Sequence, residues 1–333
     1  MLIGVMSAGT AVCVFCIIYP YLIYPSILKY LIKEVVIEKH HSIDKKEESL
    51  SLFFCLHNEI GALPEKIQNL SELRLKYPTL EILAYDDGST DGSYEYLKKN
   101  APYVKLLKGS GRKGKAHGMK KLAAIAKNDI LVFTDANVIL DLKALKNLSH
   151  YYKDDRIGGV CGSLHYTGID QSPTAAAGGL YWRLEEKIKT LESSTGNVIG
   201  ADGSIFSIRR RLYPAFPDTV LDDFTASMSV IFQGFRLINA NSVIAHERIV
   251  TNTKDEIKRK IRIAARSFHT HQVLSQNLIK MKRLDRFKYF SHKYIRWFSG
   301  VFLVLGTFLG FITLSMIIGI AIIPVLISTT SLL

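Results

Sequence analysis

A group of acidic side chains follows an apolar run in ILAYDDGSTDGS (82–93), and its residue types suggest chemistry. Asp87, Ser89, Asp91 and Gly92 match the first half of a calcium-binding EF-hand loop, with Ser at the second ligand position. The same stretch also fits the end of a strand that opens into a nucleotide-binding crevice. The two interpretations predict different proteins, and the residues that follow decide between them.

The calcium interpretation fails on the second half of the loop. An EF-hand requires a bidentate Glu at loop position twelve and a helix on each side. With Asp87 at position one, position twelve is Lys98, and the preceding segment is strand-like. The acidic residues therefore belong to a strand end. Asp86 and Asp87 suit nucleotide groups, whereas Asp91 or Ser89 suits the capping of the following turn.

FTDAN (133–137) places two oxygen-bearing side chains, Asp135 and Asn137, at the end of a second apolar run. A divalent ion that bridges a diphosphate needs one or two protein oxygen ligands and takes the rest from phosphate and water. Asp135 supplies charge and Asn137 a neutral carbonyl. The alternative is an Asx turn that closes the strand.

GRKGKAHG (111–118) is a glycine-containing basic loop that leads into a predicted helix. Exposed backbone amides and the cations Arg112, Lys113 and Lys115 suit a phosphate or a uracil carbonyl. The loop lacks the spacing of a P-loop, so ATP hydrolysis is not supported. The alternative is a solvated basic turn.

Asp222 and Asp223 are adjacent at the start of a predicted helix. Neighbouring carboxylates raise each other's proton affinity, which can tune one of them as a general base. The alternative is simple stabilisation of the helix N-terminus.

The pattern of apolar runs predicts the elements that position these residues. Strands are predicted at 49–56, 80–85, 104–108 and 129–136, with helices near 64–73, at 92–100 and at 116–126. Strands separated by helices indicate a parallel sheet, in which ligands bind beyond the carboxyl ends of the strands. This places His57, Asn58 and Glu59 around one crevice with the acidic residues at 86–87 and 135.

The second half of the sequence is less regular. It predicts helices at 178–193, 221–235 and 250–271, a glycine loop running into a strand at 200–210, and an aromatic and basic interface helix at 284–297.

Residues 2–28 and 298–333 carry no charged side chain, and each stretch exceeds the roughly 20 apolar residues that cross a bilayer. The first lacks a basic n-region and a cleavage site, so it predicts an uncleaved anchor, with a buried core helix as the alternative. The second predicts one long or two short helices.

The formal net charge of +13 is concentrated beside these apolar stretches. The flanking basic residues are Lys29, Lys33, Lys39, Lys280, Lys282, Arg283, Arg286, Lys288, Lys293 and Arg296. By the positive-inside rule the middle of the chain is cytoplasmic, and attraction to anionic lipids explains the charge. No basic recognition helix or aromatic RNA platform indicates nucleic acid.

As an ordered set, these motifs resemble the membrane-bound family 2 inverting glycosyltransferases of the GT-A fold, of the bacterial surface-polysaccharide type, over about residues 1–330. The matching stretches are HNE (57–59), AYDDGSTDGS (84–93), GRKGKA (111–116), FTDAN (133–137), GADGSIFSIRR (200–210), DDF (222–224), KRKIRI (258–263) and HKYIRW (292–297). The resemblance implies an α/β fold with a Rossmann-like, mostly parallel sheet, crossover helices and transmembrane helices at both ends.

The resemblance also implies site residues. Those for the donor and acceptor are Asn58, Glu59, Asp86, Asp87, Lys115, Asp202, Gly203, Arg259 and Arg262. Asp135 and Asn137 match the metal site for Mg²⁺ or Mn²⁺, and Asp223, beside Asp222, matches the catalytic base.

The sequence departs from the family pattern in three places. Asn137 replaces a second Asp, and Lys120 stands where many members carry Asn. Arg259, Arg262 and Ile263 occupy the place of the Gln-x-x-Arg-Trp motif of processive synthases, without the Trp that stacks an acceptor sugar. Processive synthesis of a long homopolymer is therefore not expected.

The expected protein is a metal-dependent glycosyltransferase of the hexosyltransferase type in the bacterial cytoplasmic membrane. It would move a sugar from a UDP-sugar to a lipid-linked or growing glycan in one in-line displacement. A non-catalytic nucleotide-sugar-binding membrane scaffold and a nucleotidyltransferase are the alternatives. The predicted domains are 1–32 (membrane helix), 48–270 (cytoplasmic catalytic domain), 271–297 (interface helix) and 298–333 (membrane segment).

Overall fold

The computed structural model describes residues 2–32, 49–168, 173–248 and 253–318. Contacts between residues divide the chain into two compact units. One unit contains 1–31 and 287–333, and the other contains 32–286. The candidate site residues of the sequence all belong to the second, larger unit.

The larger unit is built on one eight-stranded sheet. Its strands are β1 (Leu50–Leu56), β2 (Glu81–Asp86), β3 (Lys105–Lys108), β4 (Ile130–Thr134), β5 (Val138–Leu140), β6 (Ile157–Thr167), β7 (Ile205–Arg209) and β8 (Arg236–Arg248). Their order across the sheet is β3-β2-β1-β4-β7-β6-β8-β5.

The first four strands in sequence form the parallel half of the sheet. β1 pairs in parallel with both β2 and β4, and β2 pairs in parallel with β3. Leu52 and Phe54 of β1 are completely buried, because helices cover both faces of a parallel sheet and its strands become continuous apolar runs. This half agrees with the four strands that the sequence predicts.

The other half of the sheet is mixed rather than mostly parallel. β7 lies antiparallel between β4 and β6, and β5 lies antiparallel to β8 at the edge. β6 and β8 pair in parallel over a long register. The sequence did not predict β5 or β8, because the order of strands depends on pairing between distant segments rather than on local periodicity.

Helices connect and cover the strands. In the larger unit they are α3 (Leu63–Lys76), α4 (Ser93–Asn100), α5 (Lys115–Ile125), α6 (Ala144–Tyr151), α7 (Pro173–Ser194), α8 (Asp222–Phe232) and α9 (Thr253–Lys280). Helix α9 is longer than the predicted 250–271, so the predicted domain limit at residue 270 falls inside it. The division by contacts falls at 286–287.

In the described part of the smaller unit, two helices are long and apolar enough to cross a membrane. The first runs over 30 residues as α1 (Leu2–Ile18), a π-helical segment and α2 (Tyr24–Leu31), and the second is the 20-residue Ser299–Ile318. These match the two predicted apolar stretches. Residues 319–333 lie outside the described part of the chain, so the number of helices in the predicted C-terminal segment stays a prediction.

The predicted interface helix at 284–297 is not one regular helix. It consists of α10 (Arg283–Lys288), a π-helical segment (Tyr289–Tyr294) and one helical turn (Ile295–Trp297).

Candidate active site

Three charged side chains from separate elements converge on the backbone of Gly203. Lys115 begins α5, Asp135 follows β4, and Asp223 lies in the first turn of α8. A methyl group built on Gly203 would lie 2.7 Å from Lys115 Nζ, 3.2 Å from Asp223 Oδ2 and 3.7 Å from Asp135 Oδ2. The backbone of Gly203 therefore forms one wall of the charged cluster, and a larger side chain at this position would occupy the space between the charged groups.

Local structure explains how the two aspartates are presented. Asp135 comes directly after the carboxyl end of β4. Ligands of open α/β sheets bind beyond this end of the strands. Asp223 lies at the N-terminus of α8, where the helix dipole favours negative charge, and its Oδ1 accepts a hydrogen bond of 2.7 Å from the Phe224 amide.

Burial and charge tune the acidic pair of α8. Burial raises the pKa of Asp223, and neighbouring Asp222 raises it further, to about 7, against the opposing effect of Lys115. Burial is also the main cause that raises the pKa of Asp222, with Lys115 again opposing it. A carboxylate with a pKa near neutrality is suited to act as a general base at physiological pH.

Lys115 is held as a cation by the same cluster. Burial alone would lower the pKa of Lys115, but Asp135, Asp222 and Asp223 together raise it above its ordinary value. Its Nζ lies 2.5 Å from Asp135 Oδ1. The site therefore offers a fixed positive charge beside a carboxylate of tuned basicity.

Asp87, one of the residues predicted to bind the nucleotide, holds the basic glycine loop in place. Asp87 Oδ1 accepts a hydrogen bond from the Lys113 amide at 2.7 Å, and Oδ2 accepts one from the Gly114 amide at 2.8 Å. Asp87 thus positions the start of α5 and Lys115. Neighbouring Asp86 accepts a hydrogen bond from the Ser89 amide, at 3.3 Å through Oδ2. Its buried Oδ1 has no hydrogen-bond partner within the described ranges.

The predicted residues Asn58 and Glu59 border the same crevice. Asn58 has a left-handed backbone, with φ 58°, and its Oδ1 accepts a hydrogen bond from the Thr90 amide at 2.8 Å. Burial raises the pKa of Glu59, and Asp135 adds to the effect. Asn58 therefore stabilises the acidic turn, and the negative charge of Asp135 acts on the Glu59 carboxyl.

Asp91 closes the turn that precedes α4. Its Oδ1 accepts hydrogen bonds from the amide and hydroxyl of Ser93, at 3.0 and 2.6 Å, and its Oδ2 accepts one from the Ile60 amide. This confirms the capping interpretation of the sequence for Asp91.

The chemistry of the donor atoms fits a hard divalent cation with few protein ligands. Asp135 keeps 34% of its side chain exposed, whereas the Asn137 amide donates to Glu247 at 3.0 Å. Among the described residues no group of three or more His, Cys, Asp and Glu is arranged to hold a metal. A magnesium ion held through one or two protein oxygens completes its shell with phosphate and water, which suits this arrangement.

Comparison with known proteins identifies the fold and the family. Residues 51–215 match the model of the family described as Glycosyl transferase family 2. The chain contains a family 2 glycosyltransferase domain. This confirms the family that the ordered motifs resemble.

The curated relatives of this glycosyltransferase domain include polysaccharide synthases. The poly-beta-1,6-N-acetyl-D-glucosamine synthase of Staphylococcus aureus is 27% identical over 168 residues, which cover 45% of this chain and 38% of that protein. The Staphylococcus epidermidis synthase of the same name is 26% identical over 164 residues. The chain thus matches less than half the length of these relatives.

A solved structure shares the fold of nearly the whole chain. The mannosyltransferase PcManGT of Pyrobaculum calidifontis superposes with a TM-score of 0.73 at 18% identity, covering 99% of this chain and 91% of that one. The glycosyltransferase domain therefore has the GT-A fold that the sequence resembles.

One basic residue near the site was not among the predicted site residues. Arg266 lies on α9, one turn beyond the predicted Arg262, and its Nη2 lies 3.9 Å from a methyl group built on Gly114. It also lowers the pKa of buried Asp222. Continuing the four-residue spacing from Arg262 would have found it. Arg262 itself is exposed, and the side chain of Arg259 lies outside the described part of the chain.

Lys120, which departs from the family pattern, has a structural partner of its own. Its Nζ lies 2.5 Å from Asp218 Oδ1 and donates to the Phe216 carbonyl at 2.7 Å. His117 Nδ1 contacts the other oxygen of Asp218 at 2.9 Å. These contacts tie α5, which begins with Lys115, to the segment that leads into Asp222.

Proposed function

We propose that this domain is an inverting glycosyltransferase that moves a sugar from a UDP-sugar to a hydroxyl of a lipid-linked or growing glycan. The observation that carries the proposal is the convergence of Asp223 and Lys115 on Gly203. One group is a carboxylate with a pKa near 7, and the other is a partly buried lysine whose charge the neighbouring carboxylates stabilise. In the transfer of a sugar from a diphosphate, the carboxylate can accept the proton of the acceptor hydroxyl and the cation can stabilise the leaving diphosphate.

The residues of the chain divide the reaction between them. Asp223 accepts the proton of the acceptor hydroxyl as the hydroxyl oxygen bonds to the anomeric carbon. The bond from that carbon to the diphosphate breaks, and its electron pair leaves with UDP. Lys115 stabilises the negative charge that grows on the leaving group. A single displacement from the opposite face inverts the anomeric configuration without a covalent enzyme intermediate.

Asp135, with Asn137 nearby, would hold Mg²⁺ or Mn²⁺. A bound divalent ion supplies further charge stabilisation to the departing diphosphate. The mannosyltransferase of the same fold was solved with Mn²⁺, which supports this proposal. Lys115 pairs with Asp135 in the protein by itself, so a divalent ion would share this carboxylate with Lys115, and both cations could then face the substrate diphosphate.

Two features of the crevice support a nucleotide diphosphate as the donor. Asp86, at the end of β2, keeps a buried carboxylate oxygen that has no hydrogen-bond partner among the described residues. Asp87 holds the amides of a basic loop next to Lys115. The family resemblance favours uridine, whereas the structural relative was solved with GDP-mannose. Both nucleotides therefore belong in a donor screen.

The relatives and the apolar helices support a proposal for the acceptor and the location. The Staphylococcus relatives are named as synthases of a polysaccharide, poly-beta-1,6-N-acetyl-D-glucosamine. Among the described residues, two helices are long and apolar enough to cross a membrane. We therefore propose a glycan or lipid-linked acceptor at the cytoplasmic face of the membrane, with anionic lipids as partners of the flanking basic residues.

The test is release of the nucleoside diphosphate by the full chain in detergent or nanodiscs. A panel of UDP-sugars and GDP-mannose is supplied with Mn²⁺ or Mg²⁺ and a membrane glycolipid extract. We expect diphosphate release that depends on acceptor and is abolished in Asp223→Asn but kept in the exposed control Asp129→Asn. The configuration of the new glycosidic bond, read by NMR, must be opposite to that of the donor.

Other outcomes would favour the alternative functions. Release of pyrophosphate would indicate a nucleotidyltransferase. Binding of the nucleotide without turnover of any donor would indicate a non-catalytic scaffold. Retention of the anomeric configuration would contradict the role assigned to Asp223.

A further inference from the structure

Lys189 is a completely buried lysine that the proposed reaction does not use. It lies on α7, and only 2% of its side chain is exposed. Its ammonium donates to the Gly162 carbonyl at 3.1 Å, to Glu186 Oε1 at 2.7 Å and to Asp202 Oδ2 at 2.9 Å. All three hydrogens of the ammonium are used, so its orientation is determined by β6, α7 and the loop before β7.

Stability alone does not explain a buried ammonium with two carboxylates. Removing charges from water costs several kcal/mol per ion, on the order of what their attraction returns. An apolar side chain of similar volume is often neutral or stabilising at such a position. The arrangement is therefore better explained by what Lys189 holds in place.

What Lys189 holds is the loop that forms one wall of the active site. Asp202 immediately precedes Gly203, the residue against which Lys115 and Asp223 pack. The remaining contact of Asp202 is long, with the Ser204 amide 3.3 Å from Oδ1. The ion pair with Lys189 is therefore the strongest contact of this side chain within the described ranges.

The close packing of the wall makes its position important. The Cβ position of Gly203 lies 2.7 Å from Lys115 Nζ and 3.2 Å from Asp223 Oδ2. A displacement of about 1 Å between reacting groups can reduce a rate by about 100-fold. A loop free to move by that distance would separate the base from the cation.

We propose that Lys189 is a positioning residue for sugar transfer, whose buried ammonium anchors Asp202 so that Gly203 packs against Lys115 and Asp223. The inference rests on the proposed function for its kinetic consequence. Its structural part, the anchoring of the loop, can be tested without any catalytic turnover.

Lys189→Met tests the anchor with a side chain of similar length and no charge. Lys187→Met, on an exposed position of the same helix, is the matched control. We expect Lys189→Met to keep nucleotide affinity within about threefold and to lose kcat by about 10- to 100-fold. Hydrogen exchange of residues 198–206 should accelerate in Lys189→Met and remain unchanged in Lys187→Met.

The double variant Lys189→Met/Glu186→Gln separates positioning from charge balance. The cluster of Lys189, Glu186 and Asp202 carries one net negative charge, and the double variant restores that charge without restoring the contact to Asp202. In Lys189→Met, the unpaired Asp202 charge should shift the pH dependence of the rate to higher pH, because Asp202 already raises the pKa of Asp223. The double variant should reverse that shift but leave kcat low.

The outcomes are distinguishable from failure of the proposed function. If the wild-type protein releases no nucleoside diphosphate, the proposed function fails, while loop exchange still decides whether Lys189 anchors Asp202. Unchanged exchange and rate in Lys189→Met would overturn the inference, as would full recovery of kcat in the double variant. If Lys189→Met does not fold, Asp202→Asn removes the same ion pair while leaving Lys189 with Glu186, and the same loop exchange is measured.

Discussion

The ammonium of Lys115 lies 2.5 Å from Oδ1 of Asp135, and this pair joins the start of α5 to the end of β4. In the proposed reaction, this pair places a cation where the charge of the leaving diphosphate develops, next to the residue proposed to hold a metal ion. It also explains how Asp135 remains in a cluster with Asp222 and Asp223. Without Lys115, three carboxylates would face one another with little compensation.

Lys115→Met should therefore damage turnover more than it damages the fold. Loss of one preorganised charge at a leaving group typically costs about 100-fold or more in kcat. We expect a loss of that size, measured as release of nucleoside diphosphate, in a protein that still folds but whose Tm is lowered by the uncompensated carboxylates. The control is Lys121→Met, an exposed position of the same helix. A Lys115→Met protein that works at the control rate would rule out its contact with the leaving group.

The pKa of Asp223, near 7, predicts the pH dependence of the reaction. Only the ionised carboxylate can accept the proton of the acceptor hydroxyl. We expect kcat/KM to rise about tenfold per pH unit below pH 7 and to level off above it.

Asp222→Asn tests the cause of that pKa. Asp222 contributes negative charge that raises the pKa of Asp223, so its removal should shift the rising limb of the profile to lower pH. The measurement is kcat/KM from pH 5 to 9 for both proteins at about 0.15 M salt. An unmoved limb in Asp222→Asn would mean that another group controls the profile.

Gly203→Ala should reduce activity without unfolding the protein. The added methyl group would lie 2.7 Å from Lys115 Nζ and 3.2 Å from Asp223 Oδ2, so the charged side chains must move apart. Gly61→Ala is the control, because a methyl group there meets nothing within 4 Å. We expect at least a tenfold loss of kcat for Gly203→Ala and none for Gly61→Ala. Equal rates in both variants would contradict the packing described for the site.

Lys66 predicts a pH dependence of stability. Burial lowers its pKa to about 7, and its Nζ donates to the Val138 carbonyl at 2.6 Å. The unfolded chain keeps this proton up to about pH 10.4. Between these values the unfolded state binds more protons, so the free energy of unfolding increases as the pH rises.

The contribution of Lys66 can be isolated by comparing Lys66→Met with Lys76→Met, an exposed position of the same helix. We expect the Tm of the Lys76→Met protein, which retains Lys66, to rise relative to the Tm of the Lys66→Met protein between pH 7 and about 10. Two parallel curves of Tm against pH would show that Lys66 keeps its proton in the folded protein.

Much of the parallel half of the sheet was predictable, because its signals are local. The apolar runs that became β1, β2, β3 and β4 are separated by helical patterns, and such alternation is typical of parallel pairing. The roles proposed for Asp135 and Asp223 likewise begin with local positions, a strand end and the first turn of a helix. Asp91 was assigned to a capped turn for the same reason.

The sequence by itself determined the family resemblance, the strand ends that carry acidic residues and the two apolar helices. Each of these is written in residues close together along the chain. Only the tertiary structure decided that β7 inserts antiparallel between β4 and β6, which brings Gly203 against Lys115 and Asp223. It also decided that Lys189 is buried on Asp202. Such contacts depend on strand order and on which side chains lose water, and no local pattern encodes either.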